Sequence, residues 1–235
     1  MHSTTRAGST DLTARARIRD AAVRRFAMDG MSAPLRAVAA DAGVSAGLIL
    51  HHFGSRTGLR EACDEHVLAQ IRQDKASVLG TPGNTGALLA QLARIEGYAP
   101  FVGYVLRCLQ AGGAVSAQFI DHIVADAVGY LHDAEEAGTV RPSRYPEARA
   151  RVLAEQSLGA LLLQLPAQQD HLDLDELPVW LAAYSERIIP PLLEMYTEPL
   201  LTDSTLLDSY LAARPAGAPA GASGPAAATD GSRAD

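Results

Sequence analysis

Residues 34–61, PLRAVAADAGVSAGLILHHFGSRTGLRE, constrain the fold more than any other stretch of the chain. The pattern predicts a short helix from Pro34 to Ala42, a Gly43-Val44-Ser45 turn, and a second short helix ending in His51-His52-Phe53. Two short helices joined by a tight glycine turn make a helix-turn-helix, a unit that sets the start of its second helix against base edges in the major groove. Leu35, Val38, Ala39 and Ala42 recur at three- and four-residue spacing and form one apolar face. Pro34 suits a first helical turn, where its missing N–H has no partner to lose. Gly43 can take the left-handed conformation that ends a helix, and Ser45 is a good N-cap for the next one.

The remaining positions of the second helix have distinct expected roles. Ile49 and Phe53 share a face and are expected to pack inward. Ala46 and Gly47 are small enough for close backbone approach to DNA. Leu50, His51 and His52 are left outward or sideways. Ser55 or Thr57 can cap a third helix, and Arg56 at its start lies where free backbone N–H groups can meet a phosphate. The expected DNA face is therefore Arg36, Ser45, Ala46, Gly47, Leu50, His51, His52 and Arg56.

Charge agrees with a DNA-binding head. Residues 1–62 hold nine arginines against five acidic residues, whereas the remainder holds eleven basic against twenty-two acidic residues, and the whole chain carries −7. A basic head on an acidic body offers only the head to phosphates. Of 235 residues, 48% are apolar but only 5% aromatic, which points to Leu- and Ala-rich helices with ample length for a core. No period-two strand pattern appears, so the expected fold is all-α. Nothing resembles a signal peptide, and no apolar run reaches membrane-span length. Cys63 and Cys108 form no ligand motif and are expected as buried, reduced thiols of a cytoplasmic protein. Adjacent helical side chains such as His51 and His52 diverge by about 100°, a poor chelating geometry. No metal, cofactor or catalytic site is expected, and no phosphate loop or nucleophile motif is present. An all-α enzyme or metal-binding protein is thus the remotest alternative.

Along the chain, residues 1–10 are expected as a disordered arm and 11–56 as the head, with its first helix from Leu12 to Asp29. Residues 57–213 are expected as a helical body that includes a connecting helix over 57–75. Body helices are expected at about 85–97, 99–111, 116–137, 146–165, 178–198 and 203–213, with Pro190-Pro191 kinking or restarting one of them. Residues 214–235, mostly Ala, Gly, Pro and Ser, lack the bulky apolar surface to fold.

Residues 12–68 resemble the DNA-binding domain of the TetR/AcrR family of bacterial transcriptional regulators. The resemblance is carried by Ile18-Arg-Asp-Ala-Ala, Phe26, Gly30, Arg36-Ala-Val-Ala, Ala42-Gly-Val-Ser, Gly47-Leu-Ile, His52-Phe-Gly-Ser-Arg and Gly58-Leu. Ile95-Glu-Gly-Tyr-Ala-Pro, Gln110-Ala-Gly-Gly, Ala137-Gly-Thr-Val-Arg-Pro-Ser-Arg and Tyr196-Thr-Glu resemble an actinobacterial subgroup, the RaaS-type regulators associated with drug-efflux genes. Two positions depart from the family pattern. Leu50 stands where a Tyr usually touches the DNA, and keeps an apolar contact to thymine without a hydrogen bond. Ala33 stands where a Thr or Ser usually caps, leaving Ser32 or water to serve.

The resemblance implies a homodimer joined through the helices at 146–165 and 178–198, with Leu158, Gly159, Leu162, Leu165, Leu181 and Ile188 in the interface. Their apolar spacing alone would equally suit a monomer core. It also implies a pocket within 85–137 for a lipophilic effector, cations among the candidates. Glu96, Tyr98, Phe101, Tyr104, Arg107 and Gln110 are the candidate contacts, with ordinary core or surface roles, or a Glu96–Arg107 pair, as the alternative. The expected mechanism is a ligand-responsive repressor. Its two heads match successive major grooves about 34–36 Å apart, and effector binding shifts that spacing through the connecting helix, with coupling of about 1–3 kcal/mol. A DNA-binding regulator without a small-molecule effector is the runner-up. The expected partners are thus operator DNA, a second copy of the chain and the effector, with no membrane.

Overall fold

The computed structural model describes residues 4–164, 172–198 and 200–214, and every described element is helical. In order these are α1 (Thr4–Asp29), α2 (Leu35–Ala42), α3 (Ala46–Phe53), α4 (Arg56–Leu79), α5 (Thr85–Leu92), a 3-10 turn (Ile95–Tyr98), α6 (Ala99–Ala111), α7 (Gly113–Glu136), α8 (Pro146–Gln164), α9 (Leu177–Thr197) and α10 (Thr205–Ala213). An all-α chain with a helix-turn-helix head and a helical body is the fold the sequence led us to expect. Residues 215–235, Leu165 and His171 lie outside the described residues.

One apolar core runs through head and body. Ile18, Ala22, Phe26, Val38, Ile49, Leu59 and Val67 join Tyr104, Leu106, Cys108 and Phe119 in a single buried cluster. A smaller cluster, Ala127, Leu131 and Ala150, sits between α7 and α8. Cys63 and Cys108 are buried and unbridged.

Several element bounds differ from expectation. Helix α1 begins at Thr4, so residues 4–10, expected as a disordered arm, are helical. Pro34 is the N-cap of α2 rather than its first-turn residue, and no side chain, Ser32 included, caps that helix. Ala37 donates instead to the Pro34 carbonyl at 2.9 Å. The expected helix at 85–97 is two pieces, α5 and the 3-10 turn. Helix α9 runs uninterrupted through Pro190 and Pro191. Those prolines forfeit bonds to the carbonyls of Glu186 and Arg187. Both residues are exposed, so water can take the orphaned acceptors.

The chain divides into two compact units, one ending at Ile188 and one beginning at Ile189. In the second, Leu192, Leu193, Met195, Tyr196, Leu206 and Tyr210 are all exposed.

Candidate nucleic-acid interface

The turn between α2 and α3 follows from its residues. Gly43 adopts φ 63°, ψ 40°, the left-handed region that glycine enters at no steric cost. Its N–H reaches the Ala40 carbonyl at 3.2 Å, and the Val44 N–H reaches Ala39 at 2.9 Å, satisfying carbonyls at the end of α2. The Ser45 hydroxyl accepts from the Leu48 N–H at 3.2 Å and starts α3. Ser55 does the same for α4, accepting from Gly58 at 3.0 Å. Gly58 has a second task, because a Cβ there would overlap the Phe53 carbonyl oxygen. Only glycine lets α4 leave the end of α3 at that angle.

Helix α3 then presents one face to solvent. Ile49 is fully buried, and Leu48 and Phe53 pack against the core. Ala46, Gly47, Leu50 and His51 are exposed, at the three- and four-residue spacing of a single helical face. Ser45 and Arg36 are exposed beside them. His52 is half-buried, its ring 5.6 Å from that of His51 and 6.3 Å from that of Phe53. Arg15 of α1 lies over the Phe53 ring at 5.1 Å, an exposed cation beside the same surface that sequence reasoning had not placed there.

Arg56 is not where a phosphate contact was expected. Its guanidinium donates to the Met31 carbonyl at 2.6 Å and rests over the Phe26 ring at 5.8 Å. It closes the loop after α1 rather than reaching outward. Arg25 is likewise committed, to Asp41 of α2 at 2.7 Å and to Asp29 at 2.9 Å. Those bonds, Asp41 first, hold its pKa above the usual arginine value. Arg17, Arg24 and Arg36 are exposed.

The residues expected to contact an effector divide between surface and core. Glu96 and Gln110 are exposed, on the 3-10 turn and near the end of α6. Phe101 packs against His66 and Tyr98, at 5.6 and 6.5 Å between ring centroids. Tyr104 is fully buried and donates to the Asp64 carboxylate at 2.6 Å. Arg107 is buried and donates to the Ala27 and Met28 carbonyls of α1 at 3.1 and 3.0 Å, and to Gln110 at 2.9 Å. The alternative Glu96–Arg107 pair is replaced by these bonds. Tyr104 and Arg107 therefore correct the expectation of pocket-lining groups, since each already spends its polar atoms inside the protein. Burial pushes the Tyr104 phenol and the Cys63 and Cys108 thiols up. It also raises the Asp64 carboxyl, against the opposing pull of Tyr104 and Arg60. Arg60 donates to that carboxylate at 2.5 Å.

A cleft of about 560 Å³ lies elsewhere, open to solvent between α4 and α7. It is lined by Arg72, Gln73, Asp126, Gly129, Tyr130 and Asp133, among others, and Arg72 donates to Asp126 at 2.7 Å. Among the described residues no group of three His, Cys, Asp or Glu side chains could hold a metal, and no helix is long and apolar enough to cross a membrane.

The segment before α9 divides its side chains between solvent and core. Asp173, Asp175 and Glu176 are exposed, but Leu172 and Leu174 are buried in the core, and the Leu172 N–H donates to the Met28 carbonyl at 3.0 Å. The two-residue spacing of the leucines was the available signal.

A capped helix-turn-helix with a small-residue outer face, set on a helical body, defines a DNA-binding regulator. Comparison with known proteins specifies it further. Residues 18–63 match the family described as bacterial regulatory proteins, tetR family, and residues 96–202 match the tetracyclin repressor-like C-terminal domain. The chain is 45% identical over 204 residues to the HTH-type transcriptional regulatory protein RaaS of Mycobacterium tuberculosis, covering 87% of this chain and 94% of that one. It belongs to the TetR family of transcriptional regulators. Among solved structures it is similar to Salmonella enterica GusR, at 22% identity and TM-score 0.48, over 73% of this chain and 95% of that one. It is also similar to a TetR transcriptional regulator from Chloroflexus aurantiacus, at 18% identity and TM-score 0.48, over 76% and 97%.

Proposed function

We propose that this TetR-family regulator works in the cytoplasm as a homodimeric repressor that reads operator DNA through α3 and releases it when an effector binds the body. The observation that supports a dimer is apolar surface left in solvent on α8 and α9. Val152, Leu162, Leu163 and Val179 are 50%, 36%, 83% and 71% exposed, and the space beside Gly159 is open. Exposed aliphatic surface of this kind marks an interface. Leu158 packs against the core and Leu181 is buried, so they support this face from behind, while Ile188 is half-buried at its end. The DNA face is Arg36, Ser45, Ala46, Gly47, Leu50 and His51, flanked by His52 and Arg15.

The cleft between α4 and α7 is the effector site this reading favours, with the Tyr130 ring and the Asp133 carboxylate in its lining as the chemistry a lipophilic cation would meet. Efflux-type genes are the expected targets, on the subgroup resemblance of Ile95-Glu-Gly-Tyr-Ala-Pro and its companions. Enrichment of genomic DNA on the purified protein, followed by titration of lipophilic cations against the bound fragments, tests the whole reading. Fragments released at concentrations that saturate the protein support it. Fragments that stay bound at saturation leave a repressor without a small-molecule effector. That second reading draws on one observation, the commitment of Tyr104 and Arg107 to internal bonds.

A further inference from the structure

Helix α6 holds the connecting helix at one point and the head at another. Toward α4, Tyr104 donates to Asp64 at 2.6 Å. Toward α1, Arg107 places its guanidinium on the last turn, with Nε on the Ala27 carbonyl at 3.1 Å and Nη2 on Met28 at 3.0 Å. The final carbonyls of a helix lack intrahelical donors and carry the negative end of its dipole. A planar guanidinium meets two of them with a rigid fork of donors, which the rotating ammonium of a lysine does not offer. One turn earlier, Gly103 makes the approach possible, since a Cβ there would sit only 3.0 Å from both Ala27 Cβ and Leu172 Cδ2. The Leu172 N–H shares the Met28 carbonyl, so the segment before α9 is fastened to the same turn. From α1 the restraint passes to α2 through Arg25 and Asp41, and so to the turn that launches α3.

We propose that Arg107 is a positioning residue for DNA recognition: by clamping the last turn of α1 to α6 it fixes the angle of each head on its body, and with it the half-site spacing the protein accepts. The consequence for spacing rests on the homodimer reading above. Apolar packing of α1 on α6 holds the two together without direction, whereas the Arg107 bonds fix where the end of α1 sits, and the head cannot turn without breaking them. Arg107 touches no part of the DNA face, so its loss leaves the recognition surface of each head intact.

The test begins with a spin label introduced by Ala40→Cys on the exposed side of α2 in the full chain, Cys63 and Cys108 being buried. Pulsed dipolar spectroscopy then reads the distance between the two heads of a dimer. One narrow distance is expected in the Arg107 parent and a markedly broader distribution in Arg107→Gln, with Arg107→Lys between them. Folding is followed by circular dichroism, and Arg107→Lys carries the comparison if Arg107→Gln does not fold. The second arm uses duplexes made from a genomic fragment that the parent enriches, with one base pair added or removed between half-sites, and a single half-site duplex. The parent's preference for its own spacing should fall by about five-fold or more in Arg107→Gln, with single half-site affinity unchanged. A folded variant with unchanged distance width and spacing preference overturns the proposal, and so does an equal loss on single and paired half-sites, which would mark a damaged head. Absence of any dipolar distance in the parent removes the dimer reading, and the spacing proposal with it. A parent distance left unmoved by the variants sinks the role of Arg107 alone.

Discussion

The outer face of α3 and the inner face of α6 were both expected to meet a ligand, and the fold treats them in opposite ways. On α3 the small residues Ala46 and Gly47, with Leu50 and His51, are left in solvent with Arg36 alongside. On α6, Tyr104 and Arg107 are buried, with their polar atoms spent on Asp64 and on the end of α1. A group that is solvated and uncommitted can meet a ligand. A group whose desolvation is already offset by an internal partner stabilises the fold and gains nothing by being exposed. The same contrast separates Arg36 from Arg56 within the head.

The largest expected effect contrasts adjacent residues on the two sides of α3. Ile49→Ala should cost about 2–5 kcal/mol, as for a fully buried aliphatic side chain. Leu50→Ala should stay within about 0.5 kcal/mol of the parent and act only on DNA affinity. Urea denaturation reads both, and a large loss of stability in Leu50→Ala would erase the contrast.

Next is Tyr104→Phe. It removes the hydroxyl that donates to buried Asp64 and should cost about 1–3 kcal/mol. If Tyr104 instead faced an effector, stability would hold and effector affinity would change.

Asp64 supplies a smaller, pH-dependent effect. Its folded-state carboxyl is raised above the ordinary value, chiefly by burial. The folded state therefore binds that proton more tightly than the unfolded chain. The contribution is fully present below the unfolded carboxyl pKa of about 3.9 and is lost as pH rises through the folded value. Asp64→Asn should abolish that decline in melts across the acidic range, and a parent-like slope in the variant would place the dependence on another group.

The smallest effect compares the two arginines. Arg36→Ala should lower the slope of log affinity against log salt by about one unit, as for one lost phosphate contact. Arg56→Ala should leave that slope alone and lower stability, since its guanidinium holds the Met31 carbonyl. A slope change in Arg56→Ala would return it to the DNA face.

What could be read from sequence was local. The left-handed Gly43, the Ser45 and Ser55 caps and the inward Ile49 all depend on residues within four positions of one another. The Gly58–Phe53 approach spans only five positions but needed the backbone trace, because no pattern distinguishes a glycine that avoids a carbonyl from one that merely ends a helix. The junction was hidden for a different reason. Arg107 finds its carbonyls on Ala27 and Met28, and Leu172 closes on the same turn from still farther along the chain. Helical periodicity says which side of α6 faces inward but not which helix end lies there. The aromatic and charged residues of α6 thus carried a signal of burial that resembled a pocket.

The two buried cysteines, Cys63 and Cys108, bear on how the protein meets oxidants. Peroxide attacks thiolates, and access matters as much as ionisation. Cys63 and Cys108 are sealed from solvent, and burial pushes both thiols up. Neither thiol is thus placed to act as a redox sensor, which needs an accessible thiolate.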